Sequence, residues 1–363
     1  MTDRISKLPD EVLCHILSYL PTEEAVATSV LSKRWRPLWL SVSSLDFDDD
    51  RYLEGKELRS FSSFVNFVYA VILSRDYHQP IKNFSLTCKS DECPYSDVKV
   101  WLNAAIQHQV ENLEIEFFNS EVPCTILGCT TLVVLKLREA YFDVFSSVGL
   151  PSLKTLHLND VEFLNPQSLM DLLYGCPVLE DLEIHNIAFD DSLFEGKVTS
   201  FSKLVRAKVS YLRAFHIPVK AFSNVEFLTL DKCCDGNIPV FSNLIYLEVH
   251  SITWSLALAM LNHCPKLQTV DFNLISNDDH KVWQDPCFVP EYFGSHLRKC
   301  FLRGFSADEC QMRFARYVMQ NSTLLRTMII RTQYDPNHQK KLAMITELAS
   351  YSLSSAVCEL LFK

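Results

Sequence analysis

The side chains of this 363-residue chain that could do acid–base or metal chemistry are its eleven histidines and thirteen cysteines. His157, His185 and His250 each follow an apolar, strand-like stretch, and a row of imidazoles could bind a ligand or titrate near neutral pH. The sequence contains no G-x-x-x-x-G-K-S/T, G-x-G-x-x-G, G-x-S-x-G or H-E-x-x-H motif, the patterns that support phosphate binding, nucleophilic catalysis and zinc hydrolysis. Solvated strand positions are the simpler interpretation of these histidines, and we predict a protein that is not an enzyme.

The cysteines lack the spacing of a metal site or of a disulfide framework. Their number is odd, none form a Cys-x-x-Cys pair, and the adjacent Cys233 and Cys234 are poorly placed to ligate one ion. Cys176, Cys264 and Cys300 stand where a small buried side chain is expected. We therefore expect free buried thiols, no bound metal and no cofactor.

The charge balance argues against nucleic acid as the main partner. The net charge is −10 and the pI is near 5.6, whereas phosphate binding needs a basic surface. The early basic cluster of Lys33, Arg34 and Arg36 is better explained as a solvated face. Acids recur along the expected strand faces, which hints at a basic target surface but also fits ordinary polar alternation: Asp160, Asp181, Asp231 and Asp271.

A recurring L-x-x-L-x-L unit organises most of the chain. Eleven or twelve copies start about 20–30 residues apart, the spacing of leucine-rich repeats. One unit cannot bury its leucines alone, but stacked units share a core. We predict an α/β leucine-rich-repeat solenoid beginning at Val42-Leu45-Phe47, rather than an ordinary α/β domain. Expected helices include residues 58–75, 97–108, 168–175, 255–262, 307–320 and 340–353.

The first forty residues have a different, helical pattern. A helix is expected from Pro9, with Asp10 and Glu11 in its first turn, and it should stop at Pro21. Thr22 could cap a second helix and Ser32 a third segment. So small a piece can rarely enclose its own core. Its apolar side chains therefore predict a surface that needs a partner, or one that docks on the rest of this chain: Leu8, Ile16, Leu17, Leu20, Val30, Trp35 and Leu38.

The same stretch closely resembles a known family. The residues are LPDEVLCHILSYLP at 8–21, TSVLSKRWRPLW at 28–39 and LDFDDD at 45–50, and they are similar to the F-box of plant F-box/leucine-rich-repeat proteins. In that family the F-box binds a Skp-type adaptor held by a cullin. The resemblance implies that this chain is the substrate receptor of a ubiquitin ligase for an unknown target. The implied adaptor-binding residues are Leu8, Pro9, Ile16, Leu17, Leu20, Val30, Trp35 and Leu38.

The last part of the chain, residues 290–362, resembles the FBD region that ends many of these proteins. We therefore divide the chain into an all-α F-box (1–50), a leucine-rich-repeat solenoid (51–288) and an FBD-like cap (289–363). The polar start MTDRISKLPD lacks an apolar signal core, and the run at 64–73 is too short to span a membrane. We expect no membrane partner and a location in the cytoplasm, the nucleus or both.

Two other functions remain open from sequence. One is a leucine-rich-repeat scaffold that binds adaptor without directing degradation. The other is a receptor that binds its target only with a small-molecule ligand, and it also needs no degradation role. The half-life of a target and the ligand dependence of target binding would separate these alternatives from the ubiquitin-ligase hypothesis.

Overall fold

The structure is a computed structural model, and it describes residues 5–54, 60–76, 79–90, 93–190, 196, 198–212, 217–232, 238–275, 289, 293–306, 308–332, 338–351, 354–355 and 357–362. The chain forms two compact units. The first comprises Met1–Leu179, Glu183–Gly196 and Arg213–Phe215, and the second comprises Glu180–Leu182, Lys197–Leu212 and His216–Lys363. Of the helices within the described ranges, none is long and apolar enough to cross a membrane.

The helices are short, as expected for the return segments of repeats. They are α1 (Asp10–Leu17), α2 (Thr22–Ala27), α3 (Asp49–Leu53), α4 (Phe61–Leu73), α5 (Tyr95–Gln107), α6 (Pro166–Tyr174), α7 (Trp254–Leu261), α8 (Glu309–Asn321) and α9 (His338–Ser350). The six segments predicted to be helical all coincide with one of these. For example, α4 begins later than predicted because Ser60 caps it through a capping box with Ser63.

The strands recur once per repeat unit. They are β1 (Ser44–Asp48), β2 (Asn83–Cys88), β3 (Asn112–Glu121), β4 (Val134–Phe142), β5 (Thr155–Phe163), β6 (Asp181–Phe189), β7 (Arg206–Leu212), β8 (Phe227–Lys232), β9 (Tyr246–Ile252), β10 (Thr269–Leu274), β11 (Lys299–Phe305), β12 (Thr327–Thr332) and β13 (Glu359–Phe362).

Neighbouring strands within each unit are parallel and follow one another in the chain. In the first unit β1 to β5 pair in order, and in the second unit β7 to β13 do the same. Parallel neighbours need a crossover after each strand, which the helices and loops between strands supply. A large parallel sheet with helices is thus confirmed.

The L-x-L alternation determines which face of each strand is buried. Leu45 and Phe47 of β1 are buried while Ser44, Asp46 and Asp48 between them are half-exposed. The same alternation recurs in later strands, for example Leu135 and Leu137 of β4. Because side chains alternate across a strand, each repeat sends its leucines into the core and its polar residues outward. The prediction that Val42-Leu45-Phe47 begins the series is confirmed.

A column of left-handed residues interrupts several strands at the same place. Five strands have a positive φ at their sixth residue: Glu139 (51°), Asp160 (54°), Asn186 (51°), Tyr211 (54°) and Gly304 (65°). In β4 the burial order then shifts by one residue, so that Ala140 and Phe142 point inward. These positions are β-bulges, and the leucine pattern did not predict them.

Two cysteines contradict the expectation of free thiols. Cys88, the last residue of β2, forms a disulfide with Cys93, and their Cα atoms lie 6.2 Å apart. The turn that leads from β2 into α5 brings the two residues together. The expectation is confirmed for Cys176, Cys264 and Cys300, which are buried and free. Burial raises the pKa of the Cys176 and Cys264 thiols to about 12. Cys233 and Cys234 lie outside the described residues.

Candidate functional site

The N-terminal segment, residues 5–42, encloses a small core of its own. Helices α1 and α2 and two short 3-10 helices, Thr28–Val30 and Leu38–Ser41, surround it. Its buried members are Leu13, Leu17, Ala25, Trp35, Leu38 and Val42. Leu8, Cys14, Leu20 and Trp39 are partly buried against this cluster. The core forms because Leu13 and Leu17 lie on one face of α1 and the large Trp35 ring fills the space among the short elements.

Polar contacts fix the start of α1. Pro9 is the N-cap residue, and Asp10 and Glu11 lie in the first turn, as predicted. The Arg34 Nε donates a hydrogen bond of 2.9 Å to Asp10, and the Arg34 guanidinium also donates to the Leu8 carbonyl oxygen. This cation therefore joins the segment after the first 3-10 helix to the beginning of α1.

Two predicted caps are wrong. Pro21, not Thr22, is the N-cap of α2. The Thr22 side chain is buried, and its Oγ1 accepts a hydrogen bond of 2.7 Å from the Asp46 backbone N–H of β1. Ser32 instead leads into turns, where its carbonyl oxygen accepts from the Trp35 N–H at 3.1 Å. Because Pro37 restricts the backbone there, only the short 3-10 helix Leu38–Ser41 follows.

Three of the eight predicted adaptor-binding residues are not on the surface. Leu17 is 1% exposed, and Trp35 and Leu38 are buried with it in the core of the segment. The expectation that these side chains are left bare is therefore wrong. The alternative, docking on the rest of the chain, is not needed for them either, since their core cluster consists of residues from this segment.

The other five predicted residues differ in exposure. Leu8 and Leu20 are half-buried, while Pro9, Ile16 and Val30 are exposed. The exposed fraction reaches 43% for Ile16 and 85% for Val30. These five positions are accessible to a partner, and their role in adaptor binding stays a prediction.

Sequence reasoning missed three exposed apolar residues beside them. Val12 and Tyr19 flank Ile16 on α1 and just after it, and Leu31 follows Val30; Tyr19 is 77% exposed. The signal was present, because Val12, Ile16 and Tyr19 are spaced i, i+4 and i+7 and so make a second apolar stripe beside the buried one. The exposed apolar surface is defined here as Val12, Ile16, Tyr19, Val30 and Leu31. Apolar patches of this kind mark interaction sites.

The one thiol of this segment is not reactive. The Cys14 Sγ lies 3.5 Å from the Leu38 carbonyl oxygen and donates to it. Burial, and to a smaller extent the nearby Asp10 carboxylate, raise the pKa of the Cys14 thiol above its ordinary value. A protonated thiol is a poor nucleophile, so this surface offers apolar contact rather than chemistry.

The histidines and acids singled out above lie on the outward faces of the strands. In the second unit they form an ion network around Glu248 of β9. Its Oε1 accepts from the Arg303 guanidinium at 2.9 Å and lies 3.1 Å from the His250 Nε2, and its Oε2 accepts from the Tyr246 hydroxyl at 3.0 Å. Arg303 Nε also lies 2.7 Å from Asp271 Oδ1, although the pair is not aligned as a hydrogen bond.

This network shifts the acidity of its carboxyl groups in opposite directions. Burial raises the pKa of Glu248, but hydrogen bonds from Tyr246, Arg303 and His250 outweigh it, so the pKa lies below its ordinary value. Burial also raises the pKa of Asp271, and there the Arg303 cation only partly offsets it. The network satisfies its own charges, and across the part of the chain that the structure describes no three His, Cys, Asp or Glu residues are grouped to hold a metal ion.

Comparison with known protein families agrees with this division of the chain. The family model for the F-box domain matches residues 5–47. The model for the leucine-rich repeats of the FBD-associated F-box protein At5g56370 matches residues 98–193, and the FBD model matches residues 284–330. The exposed apolar surface thus belongs to an F-box, and the chain is an F-box protein with leucine-rich repeats.

Full-length relatives define the family more closely. F-box/FBD/LRR-repeat protein At4g26340 of Arabidopsis thaliana is 30% identical over 429 residues, covering 99% of this chain and all of the relative. FBD-associated F-box protein At4g10400 of the same plant is 30% identical over 421 residues with the same coverage. The chain belongs to the plant F-box/FBD/LRR-repeat family.

Proposed function

We propose that this chain is the non-catalytic, target-recognising subunit of a Skp–cullin–F-box ubiquitin ligase. The observation that carries the proposal is the exposed apolar surface on a segment matched by the F-box model. Burying such a surface against an adaptor removes apolar area from water, the main driving force of association. The half-buried Leu8 and Leu20 and the exposed Pro9 extend the contact.

The repeats take the second role. We infer that they form a solenoid, supported by strands that pair in chain order within each unit, with domain boundaries near residues 50 and 288. Their outward strand residues bind a target protein, while the adaptor leads to a cullin and a ubiquitin carrier. The subunit contributes effective concentration, because it holds the target's lysines near the carrier. This work takes place in the cytoplasm, the nucleus or both.

The test is a capture experiment with purified components. Tagged full-length chain is mixed with a Skp-type adaptor and a cullin, and the amount of each that is retained is measured. The variant Ile16→Asp with Val30→Asp changes two exposed side chains, so it should keep its melting temperature and lose at least ten-fold in adaptor affinity. The matched control Val144→Asp changes an exposed valine after β4 and should bind as wild type does.

Equal adaptor capture by wild type and the double variant would contradict the assignment of the surface. Failure of the wild-type chain to capture any Skp-type adaptor would contradict the proposed function itself.

A further inference from the structure

A cavity opens on the outward face of the first unit, apart from the F-box surface. Its volume is about 430 Å³, and it spans the first rows of β1 to β5. Asp46, Asn83, Ser85, Asn112, Glu114 and Lys136 supply its polar lining. The volume lies within the ~300–1,000 Å³ of typical ligand sites. We call this cavity the β2 slot, because β2 forms its floor.

The slot exists because a small residue separates two larger ones. In the strand register Asp46 of β1 faces Ser85 of β2, and Ser85 faces Glu114 of β3. Strands in a sheet are about 4.8 Å apart, so the two acidic residues begin roughly 10 Å apart with only a hydroxymethyl group between them. The result is a gap with a carboxylate on each side.

Each of these carboxylates is held in place by one ion pair. Asp46 Oδ2 accepts from Arg51 at 2.8 Å, and Glu114 Oε2 accepts from Lys136 at 3.3 Å. The second oxygens, Asp46 Oδ1 and Glu114 Oε1, accept no hydrogen bond from any residue that the structure describes. Two acids and one base line the cavity, so the slot carries excess negative charge and is complementary to a cation.

An amide pair lies at one end of the slot. The Asn112 Nδ2 donates a hydrogen bond of 2.7 Å to the Asn83 Oδ1. This leaves the Asn83 Nδ2 as a donor and the Asn112 Oδ1 as an acceptor. A donor and an acceptor side by side match the C=O and N–H of an extended peptide backbone.

We propose that the β2 slot binds a lysine or arginine side chain of an extended target segment. The cation lies between Asp46 and Glu114 above Ser85, and the neighbouring peptide bond pairs with Asn83 and Asn112. An arginine fork can bond to one oxygen of each carboxylate, and such charged hydrogen bonds are the stronger kind. The inference rests on the proposed function, since it assigns the target-binding role to particular residues.

The test uses a bead-bound library of random ten-residue peptides as the probe, with full-length chain bound to its adaptor. Enriched peptides should contain a lysine or arginine at one fixed position. The affinity of one enriched peptide is then measured by fluorescence anisotropy. Asp46→Asn with Glu114→Gln should weaken binding at least ten-fold. Ser85→Gln, which fills the slot and leaves its charge unchanged, should do the same.

The control is Asp231→Asn, an outward acid of β8 in the second unit with exposure close to that of Asp46. It should bind within two-fold of wild type. Three results would overturn the proposal: no enriched peptide, enriched peptides without a basic residue, or unchanged affinity in both slot variants. Adaptor capture by the same preparations separates the two proposals. If it persists while the slot result is negative, only the slot proposal fails.

Discussion

The N-terminal segment and the outward strand face of the first unit both expose side chains to solvent, but of opposite character. The segment presents Val12, Ile16, Tyr19 and their neighbours, which are apolar and make few polar contacts. The strand face presents hydroxyl, amide and charged groups, many of them already paired, such as Lys136 with Glu114. One surface can be recognised by shape and apolar burial, and the other by hydrogen bonds and charge.

This difference shows how the chain can serve two partners with different requirements. An apolar contact to a shared adaptor depends on few residues and little on detail. A strand face can change its outward residues while the inward leucines maintain the repeat, because the two sets alternate along each strand. Target specificity can therefore vary without disturbing either the fold or the adaptor contact.

The largest effect is expected within the segment, between two residues adjacent in the chain. Leu17→Ala removes a buried side chain from a small core and should lower the free energy of unfolding of this segment by about 3 kcal/mol. Ile16→Ala changes an exposed side chain and should cost less than ~0.5 kcal/mol, while weakening adaptor binding. Urea denaturation, followed by the fluorescence of Trp35 and Trp39, measures the first effect. Equal stability costs for the two variants would remove the distinction between sealed and exposed residues.

A smaller effect tests the tie between the segment and the strand face. Thr22→Val keeps the shape of the side chain but removes the oxygen that accepts from the Asp46 N–H. A buried donor without a partner costs about 1–2 kcal/mol, so the free energy of unfolding should fall by that amount. Thr28→Val is the control, since the Thr28 hydroxyl is only partly buried and donates to the nearby Ala25 carbonyl oxygen. If the two variants cost the same, the Thr22 contact adds nothing beyond a local bond.

The smallest effect concerns the ion network of the second unit and its dependence on pH. Burial opposes ionisation of Glu248, but hydrogen bonds from Tyr246, Arg303 and His250 lower its pKa overall. A lowered pKa contributes stability above the ordinary value, about 4.3, and that stability is lost as the pH falls through the folded value. Glu248→Gln should therefore destabilise by about 1 kcal/mol at pH 7, and the difference from wild type should shrink below pH 4.

Melting temperatures of wild type and Glu248→Gln at pH 7, 5 and 3.5 provide the measurement. Asp271 should act in the opposite sense, because its raised pKa gives stability at low pH that is lost as the pH rises through that value. A Glu248→Gln difference that grows on acidification would show that the network does not hold this carboxylate ionised.

Much of the fold followed from periodicity. The inward pairs such as Leu135 and Leu137 repeat so regularly that strands, parallel pairing and intervening helices could be predicted. The left-handed column at Glu139, Asp160 and Asn186 could not. These are not glycines, so no residue type announces the turn, and the bulge is set by stacking against the equivalent position of the neighbouring strand.

The candidate site was predicted less well, for a physical reason. Apolar periodicity identifies which side chains avoid water but not whether their own chain or a partner covers them. Leu17, Trp35 and Leu38 satisfied each other, whereas the second stripe through Ile16 was left exposed. Thr22 was misjudged in the same way, because its partner lies in β1 and not in the helix that it begins.

A site-specific photocrosslink tests most directly whether the exposed apolar surface meets the adaptor. Tyr19, 77% exposed beside Ile16, and Tyr211, 56% exposed on β7, are each replaced by benzoylphenylalanine, an aromatic amino acid that reacts only with groups in contact. On illumination of the full-length chain with purified Skp-type adaptor, we predict crosslinking from position 19 and none from position 211. Adaptor crosslinked from position 211 and not from position 19 would contradict the account.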